Sequence, residues 1–402
     1  MARAGTTVNA ISGTAATVAA DAKHRPRELT LFVCGDVMTG RGVDQILPHP
    51  GPPELFETYI ESALAYVELA ANVSGPIARP VPFDYVWGDA LGELDRVQPD
   101  ARIVNLETAV TTSDEAWPGK AVHYRMHPRN VPCLSAAAID CCNLANNHAL
   151  DWGRSGLAET LDTLRAAGIR TAGAGAEAKV AAAPAVIDSA ASGRVLVFGF
   201  GTADSGVPSG WRATDKRSGV QLIDDFAARG IAAIANQIAA YARDGDLIVA
   251  SIHWGGNWGY EITQHHRRFA HGLIDSAGVH LVHGHSSHHP KGIEVYRGRP
   301  ILYGCGDLLN DYEGISGNEG YRGDLGLMYF LRFDARSSTL KRLWMTPTRM
   351  RQLRINRAPE EAGAWLADTL DRECRKLGAR VERLTDGTLE LKWSEAGTEA
   401  TS

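Results

Sequence analysis

A chain of 402 residues with 44% hydrophobic side chains can bury a large core, and its formal net charge of −6 comes from interspersed acids and bases. No basic stripe is present, which excludes nucleic acid as an expected partner, and no apolar run approaches the length of a transmembrane span. Six cysteines without a C-x-x-C pair lie in or beside apolar runs, the pattern of reduced, buried thiols in a cytoplasmic protein.

Residues 1–26 are rich in Ala, Thr, Ser and Gly, and the stretch 8–20 is too interrupted for a signal peptide, so a flexible tail is expected. A strand follows at 29–34. Apolar recurrence at Leu55, Tyr59, Ala63 and Tyr66 predicts a helix over 54–71, with Pro- and Gly-rich loops at 48–53 and 75–82. Strands are expected at 103–106, 141–144, 195–199, 247–252, 279–282 and 301–303, and helices at 156–167, 223–242 and 264–276. Strands and helices that alternate in this way predict an α/β fold, and the largely apolar strands predict sheets covered on both faces. After residue 335 a hairpin-like segment at 340–345, a helix at 362–377 and a strand at 388–393 read as a C-terminal extension, 335–393. It is expected to pack on a catalytic domain of residues 27–334, with a disordered tail at 394–402.

Five polar clusters each follow a short apolar run: Gly35-Asp36, Asn105-Leu106-Glu107, Asn146-Asn147-His148, His253-Trp254-Gly255, and the stretch 283–288 that begins and ends on His. Open α/β sheets bind ligands outside the carboxyl ends of their strands, where such loops converge. Taken singly, Asp36 reads as a cap or turn residue and His253 as a satisfied core histidine. Four histidines within residues 283–289 are too dense for core packing. Two carboxylates at one sheet edge raise each other's pKa unless a cation lies between them. With oxygen and imidazole donors and no thiolate, one or two divalent ions are expected, from among Mn, Co, Fe and Zn.

The strings Gly-Asp-Val-Met-Thr-Gly-Arg (35–41), Asn-Leu-Glu-Thr (105–108), Leu-Ala-Asn-Asn-His-Ala-Leu-Asp-Trp-Gly (144–153), Ser-Ile-His-Trp-Gly (251–255), Gly-His-Ser-Ser-His (284–288) and Gly-Cys-Gly-Asp-Leu-Leu-Asn-Asp (304–311) resemble the CapA family. That family is named for poly-γ-glutamate capsule synthesis and belongs to the calcineurin-like metallophosphatase superfamily. The resemblance covers roughly residues 29–333 and implies a four-layer α/β/β/α sandwich with a metal centre at the strand ends. It implies Asp36, Glu107, Asn147, His253 and His285 as metal ligands, with Glu107 in the place of the superfamily's bridging aspartate. His148 corresponds to the acid or transition-state-stabilising histidine, and His288 to a ligand or acid/base; His283, His289 and Asp307 are additional candidates. The superfamily opens with Asp-x-His, whereas Asp36-Val37-Met38 stands here. One imidazole is missing, so the first metal position is expected to be weak or empty.

Three reactions are compatible with these residues: phosphoester or pyrophosphate hydrolysis, a role on capsule polyglutamate or the cell envelope, and Cα epimerisation of a peptide C-terminal residue. The last follows from a resemblance to the soluble lasso-peptide epimerase branch, and it suits the residues best. A cation on the carboxylate acidifies Cα, and His148 and His288, from different strand ends, supply acid and base. Arg41 and Trp254 are expected to bind the substrate, a peptide either free or presented by a partner protein. Trp87, Trp152 and Trp258 are further candidates for the pocket wall. A non-enzymatic metal-bearing scaffold is disfavoured by the absence of repeats.

Overall fold

The computed structural model describes Met1, residues 28–189 and residues 193–394. Apart from Met1, the expected N-terminal tail lies outside the described residues, as do positions 395–402 of the C-terminal tail. Two sheets form the framework. In the ten-stranded sheet, β1 (Glu28–Val37), β2 (Ala101–Leu106) and β3 (Cys141–Asn143) run side by side and parallel. In the seven-stranded sheet, β4 (Gly193–Thr202), β5 (Leu247–His253) and β6 (Leu281–His285) do the same.

Side-chain parity along the strands explains the layering. Phe32 and Cys34 on β1 join Leu94, Leu157 and Leu164 of the outer helices Asp89–Val97 and Gly153–Ala166. Their neighbours Leu31 and Val33 turn the other way and meet Val195, Val197 and Val249 of the second sheet. On that sheet Leu196, Phe198 and Ile248 face Ile234, Phe269 and Leu273 of the helices Ala228–Ala239 and Gln264–Ala277. The result is α/β/β/α, and it accounts for strands that are apolar on both faces.

The helix expected at 54–71 begins only at Ala63, where the Ser62 hydroxyl caps it by accepting from the Leu64 amide at 3.3 Å. Residues 54–62 instead form a loop closed by a bridge between Glu54 and Ser62. The segment after residue 335 continues the first sheet. Strand Leu340–Met350 pairs antiparallel with Leu325–Asp334, which itself pairs with β1. Helix Glu360–Arg375 inserts Leu366, Leu370 and Cys374 into the cluster between the sheets.

One close approach positions the site. A Cβ on Gly35 would lie 1.9 Å from the Gly306 carbonyl oxygen, so only glycine lets the two backbone segments touch here. The Asp36 amide then donates to that oxygen at 3.1 Å, and Asp307 comes into register beside Asp36.

Candidate metal centre

Strand pairing aligns the polar ends in two rows. In the first sheet Asp36 lies opposite Asn105, and Asn105 opposite Asn143; in the second, His253 lies opposite His285. Asn105 is the hub: its amide donates to Asp36 Oδ1 at 2.6 Å, while its oxygen accepts from Asn143 at 2.8 Å and from Asn146 at 3.1 Å. The Nδ1 atoms of His253 and His285 are 2.9 Å apart and stand 4.0 and 3.9 Å from Asp36 Oδ1. Asp36, His253 and His285, all buried, thus form one donor set.

Asp36 also belongs to a second set, with Glu107, His288 and Asp307, all buried. Ser286 turns the chain after β6 with φ of 102°, a conformation non-glycine residues seldom adopt. That turn aims the Ser286 amide at Asp36 Oδ2 (3.2 Å) and precedes His288, whose Nδ1 is 3.0 Å from Asp307 Oδ1. The imidazole missing after Asp36 is therefore not the end of the matter, because His288 and Asp307 bring a nitrogen and a carboxylate to the same neighbourhood.

Burial, reinforced by Asp307, raises the Asp36 carboxyl to about 8, and burial with Asp36 beside it pushes Glu107 well above the usual carboxylate range. Burial holds His253 and His285 well below their ordinary values, hence neutral, the form that ligates metal. Two buried polar atoms at this place have no hydrogen-bond partner, His253 Nε2 and Asn147 Oδ1. Crowded carboxylates, neutral imidazoles and these two orphaned donors fit a divalent cation with mixed nitrogen and oxygen ligands, and a cation would restore the carboxylates to their charged form.

His148 stands at the edge of both sets, with Nε2 3.8 Å from Glu107 Oε1. Its Nδ1 is 2.6 Å from Asp151 Oδ2, Tyr124 stacks on its ring at 3.8 Å, and burial lowers its pKa to about 4. Asp151 is itself held by Lys120 at 2.5 Å and by the Tyr124 amide at 2.6 Å. Burial also acts to depress His288, but Asp307 outweighs it and the net shift is upward.

Other expected site residues fall elsewhere. Arg41 reaches the cavity wall, yet its guanidinium is buried against Asp311 (2.5 Å) and Glu57 (2.8 Å). Trp254, expected to bind substrate, is directed by strand parity into the outer core of the second sheet. There its indole donates to the Tyr303 carbonyl at 3.0 Å and lies 4.9 Å from the His266 ring. Trp87 and Trp152 are likewise buried, donating to the carbonyls of Cys133 and Tyr124, whereas Trp258 does line the cavity. His283 lies behind the centre, 2.8 Å from the Cys34 carbonyl and 3.1 Å from Ser251 Oγ, which in turn meets His285 Nε2 at 3.0 Å. His289 accepts from the Gly259 amide at 3.1 Å and so anchors the loop bearing Trp258. Ser251, Lys120 and Tyr124 carry no signal of their own in the sequence, and Asn105 figures there only as part of a polar cluster. Asn105 sits inside a quoted motif, but its role depends on which strands are neighbours.

A family profile described as bacterial capsule synthesis protein PGA_cap matches residues 30–312. A Mycobacterium tuberculosis protein named a probable polyglutamine synthesis accessory protein is 47% identical over 367 residues, 91% of this chain and 96% of that one. The PGA biosynthesis protein CapA of Bacillus subtilis is 27% identical over 284 residues, covering 70% of this chain and 63% of that one. A solved structure titled as a novel phosphatase from Mycoplasma pneumoniae overlaps 83% of this chain and 96% of that one, with 11% identity and a TM-score of 0.45.

Proposed function

This chain belongs to the bacterial capsule synthesis protein PGA_cap family, and from that premise we propose that it is a metal-dependent acid–base enzyme acting on a peptide carboxylate, with inversion at Cα as the reaction. The observation that carries this reading is the pair of carboxylate-anchored histidines beside one centre, His148 on Asp151 and His288 on Asp307. Asp36, His253 and His285, with Asn147 at the edge, would hold the ion. A bound cation supplies charge stabilisation to a carboxylate whose Cα proton has been removed. Asp151 holds the His148 ring at Nδ1, which leaves Nε2 free to take or return a proton on the side of Glu107. His288, fixed by Asp307, is the second group able to move a proton, and its loop comes from the other sheet. Relatives named as a polyglutamine synthesis accessory protein and a PGA biosynthesis protein support an accessory role for this chain in polymer synthesis.

A second reading, phosphoester hydrolysis, is favoured by one specific feature: Asp36 is common to both donor sets, an arrangement suited to a two-ion clamp. The two readings differ in how the second set is used. Inversion leaves His288 free to move a proton, and hydrolysis occupies it with a second ion. In deuterated water, the metal-loaded protein is expected to add one deuterium at Cα of a C-terminal residue. Asp151→Asn should slow this about 10²- to 10⁴-fold with metal content unchanged. Phosphate release from generic esters with two ions bound per chain, and no label in any peptide, would replace the first reading with the second.

A further inference from the structure

A cavity of about 930 Å³ opens beside the centre. Glu107, Asn147, His148 and His288 line its inner end, while Tyr59, Ile60, Leu69, Val73, Ile315 and Met350 form much of its wall. Six large apolar side chains are strongly exposed among the described residues, and three of them, Tyr59, Val73 and Ile315, are on this wall. Scattered exposed apolar residues need no explanation. Their convergence on one concave surface next to polar chemistry marks a binding site.

The charges around the cavity narrow the ligand. Its cations are already engaged: Arg41 with Asp311 and Glu57, Lys120 with Asp151, and both Arg322 and Arg349 with Asp324. Toward the rim, Glu313, Glu319 and Asp324 outnumber Arg322 and Arg349. A polymer with a carboxylate on every unit would meet only cations that already have a carboxylate partner along this wall, and it would face Glu313 and Glu319 as like charges beside the Asp324 that Arg322 and Arg349 share.

We propose that the cavity receives an apolar side chain of a substrate whose single anionic end enters the centre, so that the ligand is an amphiphilic peptide carboxylate and not a polyanion. The anionic end rests on the function proposed above; the apolar preference rests on the wall alone. Tyr59 is contributed by the loop before helix Ala63–Ser74, Val73 by the end of that helix, and Ile315 by the turn after Asp311. Apolar surface gathered from such separate pieces of chain gains contact with a ligand and leaves water when one binds.

The test is calorimetric titration of the full-length, metal-loaded protein with three probes: an acetylated tripeptide ending in Leu, the same peptide ending in Ala, and a γ-linked glutamate tetramer. The Leu peptide is expected to bind at least about tenfold tighter than the Ala peptide, and the tetramer more weakly than either. Ile315→Asp and Val73→Asp alter exposed positions outside the core, so both variants should fold, retain their metal and lose the preference for Leu. Equal affinities for the Leu and Ala peptides, a tetramer that binds best, a preference that survives both variants, or no binding of any probe would each overturn the proposal. Binding is read without turnover, which separates this inference from the reaction. Apolar selectivity without label at Cα would sink inversion alone, and labelling without apolar selectivity would sink the cavity proposal alone.

Discussion

Asp36 gathers more of the centre than any other side chain, because it is common to both donor sets and is held by Asn105 and the Ser286 amide. Replacing it with Asn leaves a side chain that can still hydrogen-bond but removes the shared negative charge. Asp36→Asn is therefore expected to abolish tight metal binding altogether, as measured by metal analysis after dialysis, while thermal unfolding remains cooperative. Ser251 has a subtler part: it joins His283 to His285, a proposed metal ligand, so Ser251→Ala frees the far side of that ring. Metal affinity should fall about 10- to 100-fold in a chelator competition, with the fold unchanged. Taken singly in the sequence, Asp36 reads as a turn residue and His253 as a core histidine. The family resemblance is what names Asp36, Glu107, His253 and His285 together, and the structure brings these buried side chains into two adjoining sets that share Asp36. The roles of Asn105 and Ser251 were not legible, since their meaning depends on which strands lie side by side. Trp254 misled for a related reason: adjacency to His253 in sequence puts it on the opposite face of the sheet.

Strands and helices hold this centre through a few ties between elements, and Glu294 makes one of them. It lies on strand Ile293–Tyr296 and accepts from Arg267 (2.9 Å) and Tyr303 (2.7 Å), with His271 at 3.0 Å, which pins helix Gln264–Ala277 to the second sheet. Burial alone would raise its pKa, but the hydrogen bonds from His271, Arg267 and Tyr303 win and hold it at about 2, below the ordinary 4.5. A depressed carboxyl stabilises the fold above the unfolded-state value, and the contribution is lost as pH falls from 4.5 toward 2. Glu294→Gln should cost about 1–2 kcal/mol at neutral pH, toward the lower end because Arg267 is partly solvated. Urea midpoints should converge for the two proteins as pH drops through that window; parallel curves would show that the tie does not titrate. Elements themselves were well marked in sequence wherever an apolar period persisted. Residues 54–62 are the instructive exception: Leu55 and Tyr59 keep helical spacing, but the Ser62 cap starts the helix later and leaves Tyr59 on the cavity wall.

Over the whole molecule, apolar strands alternating with amphipathic helices pointed to an α/β fold with sheets covered on both faces, and the family resemblance supplied the four-layer order, whereas the place of the C-terminal segment followed from neither. A change of composition near residue 335 suggests an added piece, but strand order across a sheet is fixed by pairing between residues far apart in sequence. Strand Leu340–Met350 pairs with Leu325–Asp334 from Phe333 opposite Leu340 to Leu325 opposite Arg349. Its loss would bare a ten-residue strand next to β1. Helix Glu360–Arg375 would at the same time withdraw Leu366 and Leu370 from the layer between the sheets. A domain's entire margin is only about 5–15 kcal/mol, so uncovering this apolar layer on both sheets is expected to destabilise the remainder severely. A chain ending at Asp334 keeps every proposed metal ligand and both candidate proton carriers, yet it is expected to aggregate through its exposed strand edge and to lack cooperative unfolding. Calorimetry and size-exclusion chromatography of that truncation decide the matter. A soluble monomer that unfolds in one transition and retains its metal would make the segment a dispensable addition, and the metal centre would then be supported by residues 28–334 alone.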